Sequence, residues 1–217
     1  MGQAIVITSG KGGVGKTTTS ANIGTALALL GKKVCLVDTD IGLRNLDVVM
    51  GLENRIIYDL IDVAEGRCRL NQALVKDKRF DELYMLPAAQ TKDKNAISPD
   101  QVKDIILELK KEFEFVIIDC PAGIEQGFKN AIAGADQAIV VTTPEHAAVR
   151  DADRIIGLLE NSHISSPKLV VNRIKINMMK SGDMLDIEGI LQVLNIDLIG
   201  IVPDDEKVIK AANSGEP

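Results

Sequence analysis

Short, continuous apolar runs punctuate the chain at residues 4–7, 33–38, 83–87, 115–119, 137–142, 168–172 and 197–202. Most are rich in β-branched residues and lack strict apolar/polar alternation, which predicts strands of a parallel sheet covered on both faces. Between many of them the apolar period lengthens toward that of a helix, and residues 100–113, 126–133, 145–160 and 187–194 read as helices. The uncharged stretch 17–31 reads the same way, with Gly31 as its C-terminal stop. Its residues Ala21, Ile23, Ala26, Leu27, Leu29 and Leu30 are broadly apolar, which predicts a helix largely covered by the sheet. Strand and helix in alternation imply an α/β fold, a mostly parallel, doubly wound sheet with helices on both faces. Strand order is not contained in this pattern. Residues 205–213 carry Val208, Ile209, Ala211 and Ala212, but the segment is too short and too weakly basic for a membrane helix, so its apolar face is expected in the core.

Composition narrows the function classes. With 217 residues, 46% of them hydrophobic, and no linker, repeat or low-complexity tract, residues 1–217 are expected to form one domain. A net charge of −6 and the absence of Trp argue against basic stripes and stacking platforms, so no nucleic-acid partner is expected. Cys35, Cys68 and Cys120 form no C-x-x-C pair, two of them lie in strand-like runs, and no signal peptide opens the chain. Reduced thiols and a cytoplasmic location follow as expectations. No stretch reaches the roughly 20 apolar residues of a membrane-spanning helix.

The chemistry is concentrated after the first strand. Gly10-Lys11-Gly12-Gly13-Val14-Gly15-Lys16-Thr17-Thr18 follows an apolar run and precedes a helical pattern, the context that a G-x-x-x-x-G-K-[ST] phosphate loop requires. Glycines 10, 12, 13 and 15 let successive backbone amides converge on phosphate oxygens, and a helix N-terminus adds its dipole. Lys16 is placed to neutralise the β- and γ-phosphates, and the Thr17 hydroxyl to complete a Mg²⁺ shell. The apolar strand 115–118 ends in Asp119, a fixed anion that can hold the same shell.

Lys11 is the unusual member of the loop, and with it residues 10–18 resemble the deviant Walker A motif of the MinD/ParA family. That resemblance implies a P-loop ATPase with ATP and Mg²⁺ as ligands and an ATP-dependent homodimer in which Lys11 reaches the nucleotide of the other subunit. Asp38-Thr39-Asp40 resembles the first switch of MinD-type members, which implies that Asp40 positions the attacking water and that Asp38 sits nearer the metal shell. Asp119-Cys120-Pro121-Ala122-Gly123-Ile124-Glu125 resembles their second switch, with Gly123 as backbone donor to the γ-phosphate and Cys120 a packed side chain. Asn172 and Arg173, with Pro203 and Asp204, match the family's adenine-recognising positions.

The likeness runs from Met1 to Pro217. In MinD-type members the neighbourhood of residues 149–154 meets the division inhibitor MinC, which implies a partner surface including Asp151 and Asp153, although alternating charge on a helix also describes an ordinary solvated face. An activator such as MinE or a topological anchor is implied as well. Family members continue past the position of Pro217 into a final helical region and an amphipathic segment that holds the ATP-bound dimer on the inner face of the membrane. Nothing in residues 1–217 corresponds to it, so membrane binding is expected to be lost. Three readings stand beside a hydrolysing switch: a ParA-like partition ATPase, an iron–sulfur carrier, and a recruitment scaffold that binds ATP without turning over.

Overall fold

The computed structural model describes residues 1–93 and 95–217. In chain order the elements are β1 (Gln3–Thr8), α1 (Lys16–Leu29), β2 (Val34–Asp38), α2 (Leu46–Val49), α3 (Leu60–Ala64), α4 (Leu70–Ala73), β3 (Val75–Lys76) and β4 (Leu83–Leu86). There follow α5 (Pro99–Glu112), β5 (Phe115–Asp119), α6 (Gln126–Ile132), β6 (Gln137–Thr142), α7 (His146–Glu160), β7 (Lys168–Ile174), α8 (Ile176–Ser181), α9 (Ile187–Leu194), β8 (Asp197–Pro203) and α10 (Glu206–Asn213). Among the described residues the strands form one sheet in the order β3-β4-β2-β5-β1-β6-β7-β8, parallel throughout except for β3 against β4.

The pleat divides the core into two layers. Ala4, Val6, Cys35, Val37, Val116 and Ile118 point to the face packed by α5, α6 and α7, where Ile106, Leu109, Phe128 and Ile155 are buried. Ile7, Val34, Leu36 and Ile117 point to the other face, which receives Ala21 of α1 and Leu46 and Met50 around α2. Both faces of the central strands are therefore dry, which is why their sequences run apolar without alternation. Helix α1 ends in a Schellman arrangement, Lys32 N–H donating to the Leu27 carbonyl at 3.1 Å and Gly31 N–H to Ala28 at 2.9 Å, with Gly31 at φ 77°.

Two expectations fail. The buried stripe of α1 is Lys16, Ser20, Ala21, Gly24 and Thr25; Leu29 and Leu30 lie off it and are 71% and 76% exposed. Helix α10 does form, but none of its residues is buried, and Val208 and Ile209 face outward rather than into the core. Immediately before α10 the sheet ends in β8, an edge strand with no buried residue, whereas α1 packs on the interior strands β1, β2, β4 and β5 and leaves Leu29 and Leu30 at its end uncovered. No helix among them is long and apolar enough to cross a membrane.

Candidate nucleotide-binding site

The loop between β1 and α1 is built against two other elements. Gly15 caps α1 at φ 99°, and a Cβ there would lie 2.2 Å from Asn172 Nδ2. At Gly10 a Cβ would lie 2.1 Å from the Asp151 carbonyl oxygen, so the start of the loop is pressed onto the backbone of α7. No side chain caps the N-terminus of α1, which leaves its first amides available to an anion. Lys16 is buried and donates from Nζ to Ser9 Oγ at 2.9 Å.

Parallel register then carries two carboxylates to the same place. Asp38 at the end of β2 is the direct partner of Asp119 at the end of β5, and both are almost fully buried. Asp119 accepts from Thr17 Oγ1 and from Ser20 Oγ, each at 2.8 Å. Asp38 accepts from the backbone amides of Asp40 at 2.9 Å, Leu46 at 3.2 Å and Asn45 at 3.4 Å. Burial pushes both carboxyls above the usual range; the charge of Asp119 raises Asp38 further, whereas Thr17, Ser20 and Lys16 partly offset the effect at Asp119. The half-buried Asp40 stands close enough to act on both electrostatically.

Two adjoining buried carboxylates with a hydroxyl between them and the phosphate loop are an oxygen donor set short of positive charge. That suits a hard cation. No group of three or more His, Cys, Asp or Glu side chains among the described residues could hold a metal alone.

A groove of about 1400 Å³ continues from the loop, lined by Gly15, Thr18, Asn172, Arg173, Pro203 and Asp204 among others. The groove borders the phosphate loop at Gly15 and Thr18 and carries the expected base-side residues, while Lys16, Thr17, Asp38 and Asp119 lie outside its lining. Asn172 is already engaged: Nδ2 donates to the Val14 carbonyl at 2.8 Å, and Oδ1 accepts from the Arg173 amide at 2.9 Å. One amide hydrogen and one lone pair remain for a base. Arg173 sits at φ 57° with its side chain exposed, and Asp204 pairs with Lys175 at 3.4 Å.

The remaining expected residues border this centre. Gly123, half-buried at φ 96°, lies in the loop after β5, and the neighbouring Cys120 is a buried thiol whose pKa burial pushes up to about 12, which suits packing and not nucleophilic chemistry. Lys11 is partly exposed and forms an ion pair with Glu145 at 3.1 Å. Asp151 is half-buried behind Gly10, and Asp153 is exposed on the outer side of α7. Sequence reasoning did not single out Ser9, Ser20 or Glu145. Ser20 had a signal: three residues after Thr17, it falls on the same helical face.

The comparisons with known proteins agree with this geometry. Residues 5–217 match the family model described as the CobQ/CobB/MinD/ParA nucleotide binding domain. Across 219 aligned residues, 100% of this chain and 82% of the relative, the chain is 74% identical to the septum site-determining protein MinD of Bacillus subtilis. The chain belongs to the MinD family. Among solved structures of that family, it superposes on the MinC:MinD cell division protein complex of Aquifex aeolicus with a TM-score of 0.92 at 51% identity, covering 99% of this chain and 87% of that one. It superposes on the MinD of Pyrococcus horikoshii complexed with Mg-ADP with a TM-score of 0.90 at 31% identity, covering 100% and 87%. The fold is thus the P-loop arrangement of the MinD/ParA proteins, and the binding of nucleotides is the property the family model carries.

Proposed function

We propose that the chain is a Mg²⁺-dependent ATPase whose ATP-bound form is a homodimer that recruits MinC during selection of the division site. The observation that carries this reading is the meeting of Lys16, Thr17, Asp38 and Asp119 at the carboxyl ends of β1, β2 and β5, with Lys11 at the rim. Lys16 binds the β- and γ-phosphates, and the amide of Gly123 contacts the γ-phosphate. Mg²⁺, when bound, supplies charge neutralisation at the phosphate oxygens, with Thr17, Asp38, Asp40 and Asp119 as the protein side of its shell. Asp40 orients the attacking water. Asn172, Arg173, Pro203 and Asp204 receive the base.

Lys11 acts across the dimer. Its ion pair with Glu145 is exposed on both sides and contributes at most about 1 kcal/mol, so it does not prevent the side chain from turning to a second subunit's phosphates. A cation brought in this way stabilises phosphoryl charge as an arginine finger does. The recruitment of MinC is supported by the Aquifex complex and by the contact of the phosphate loop with α7, the helix that bears Asp151 and Asp153. An activator such as MinE or a topological anchor closes the cycle in the cytoplasm.

Asp40→Ala is expected to keep the ATP-dependent dimer and to slow phosphate release by about tenfold or more. Turnover by the variant at the native rate would reject the role given to Asp40. Asp151→Ala and Asp153→Ala should lose MinC at matched levels of ATP dimer.

A further inference from the structure

The turn between β3 and β4 holds a charged cluster with no contact to the phosphate loop. Asp77 is buried and accepts from Arg79 three times, at the backbone amide (2.7 Å), Nε (3.1 Å) and Nη2 (2.7 Å). Burial pushes the Asp77 carboxyl up, but its hydrogen bonds from Arg79 outweigh that and hold it below the usual carboxylate range. Thus oriented, the guanidinium donates from Nη2 to the Met50 carbonyl and from Nη1 to the Gly215 carbonyl, each at 2.5 Å. Met50 ends α2, and Gly215 lies in the turn that closes α10. The two segments touch directly, since a Cβ on Gly215 would lie 2.5 Å from Gly51 Cα, and both glycines have positive φ.

What α2 does gives this clamp a consequence. The amides of Asn45 and Leu46, at its start, both donate to Asp38 Oδ2, and Met50 N–H donates back to the Leu46 carbonyl at 3.0 Å. At its other end α10 begins next to Pro203 and Asp204. The segment between the two ends of the nucleotide groove is therefore continuous: base-side loop, α10, Gly215, Arg79, Met50, α2, Asp38.

We propose that Arg79 is a positioning residue of the nucleotide site, fastening the end of α10 to α2 and thereby fixing the orientation of Asp38 toward the cation shell. This rests on the reading of residues 10–18 and Asp38 as a Mg²⁺-nucleotide site. Buried hydrogen-bond partners of metal-side carboxylates typically change metal affinity by about 10- to 100-fold when removed. The same arrangement makes the cation end of the site responsive to a displacement of the base-side loop.

The test is a titration of fluorescent ATP analogue and Mg²⁺ with the 217-residue chain, together with amide hydrogen exchange of residues 45–50 without ligand. Arg79→Ala should keep its nucleotide affinity in EDTA within about twofold, raise the Mg²⁺ needed for half-saturation about tenfold, and speed exchange across residues 45–50. Arg79→Lys should behave similarly, because an ammonium cannot hold a carboxylate and two carbonyls in one planar fork. Asp38→Asn should also weaken Mg²⁺ dependence, and adding Arg79→Ala to it should bring little further loss, as expected of groups acting through one another. An unchanged Mg²⁺ half-saturation in Arg79→Ala, full rescue by lysine, or strictly additive losses would each overturn the proposal. If Arg79→Ala does not fold, Gly215→Ala, which keeps every charged group but strains a positive-φ residue and drives a methyl onto Gly51, is read by the same titration and should raise the Mg²⁺ half-saturation in the same direction. A native chain that binds no nucleotide would sink the nucleotide reading itself, whereas native binding with unaltered variants sinks only the role of Arg79.

Discussion

The two ends of the nucleotide groove differ in how completely the protein has built them. At the phosphate end Lys16, Ser20, Asp38 and Asp119 are buried and held, each by a partner at hydrogen-bond distance. At the base end Arg173, Pro203, Asp204 and Asp205 are exposed, and the strand that presents two of them has no buried residue. The difference follows from the sheet. Strands β1, β2 and β5 are interior and covered on both faces, so side chains at their carboxyl ends inherit a rigid frame; β8 is an edge strand and supplies none. In the function proposed above, preorganised charge at the phosphates serves binding and phosphoryl chemistry, while the exposed groups are left to adjust to the base.

Breaking the built end should have the largest effect. Lys16→Ala removes its one buried ammonium, and calorimetry with Mg²⁺ and ATP should show affinity lower by about 100-fold or more, since it forfeits charge-assisted hydrogen bonds in a dry site. An affinity within a few-fold of native would contradict the placement of the phosphates.

The buried carboxylates should next declare themselves in the pH dependence of stability. An acid whose folded pKa is raised keeps protons in the native state that the unfolded chain has already released, so unfolding free energy falls as pH rises from the ordinary 3.8 up to about 8 for Asp38. Asp77, Glu114 and Asp197 are shifted downward, and their contributions are lost only below that window. Urea unfolding in EDTA should therefore show a loss of about 1–3 kcal/mol between pH 5 and 8, largely abolished by Mg²⁺ and ATP. Stability that rises over this interval would contradict the pair's burial as a strained anionic centre.

A smaller effect follows when Asp119 loses one of its two hydroxyl donors. Ser20→Ala leaves the loop intact but deprives Asp119 of a buried donor, and the Mg²⁺ dependence of nucleotide binding should weaken about tenfold. At the adjustable end the change should be smallest: Asn172→Ala removes the bond to the Val14 carbonyl and should cost about 1 kcal/mol in ATP binding, with reduced preference for ATP over GTP. A larger loss there than at Ser20 would reverse the contrast between the two ends.

How far the molecule could be read from its residues follows the same division. The loop of residues 10–18 is legible because a chemical requirement is compressed into consecutive positions, and the interior strands because burial on both faces leaves unbroken apolar runs. Glu145 was passed over because its partner Lys11 lies 134 residues away, a proximity that only strand order creates, and Ser20, 99 residues from Asp119, offered only its place on the helical face of Thr17. The short elements α2, α3, α4, α8 and β3 span two to six residues, too few for any period to show. Helix α10 and the end of α1 misled in the other direction. Their apolar residues imply a covered face, and periodicity cannot say whether the covering layer is at hand.

The most direct test of the dimerisation switch is light scattering of the purified chain with Mg²⁺ and ATP or ADP, native beside Lys11→Ala. The account predicts a dimer with ATP alone, absent with ADP and absent in Lys11→Ala; a native chain that stays monomeric with ATP, or a Lys11→Ala variant that dimerises as well as the native one, would contradict it.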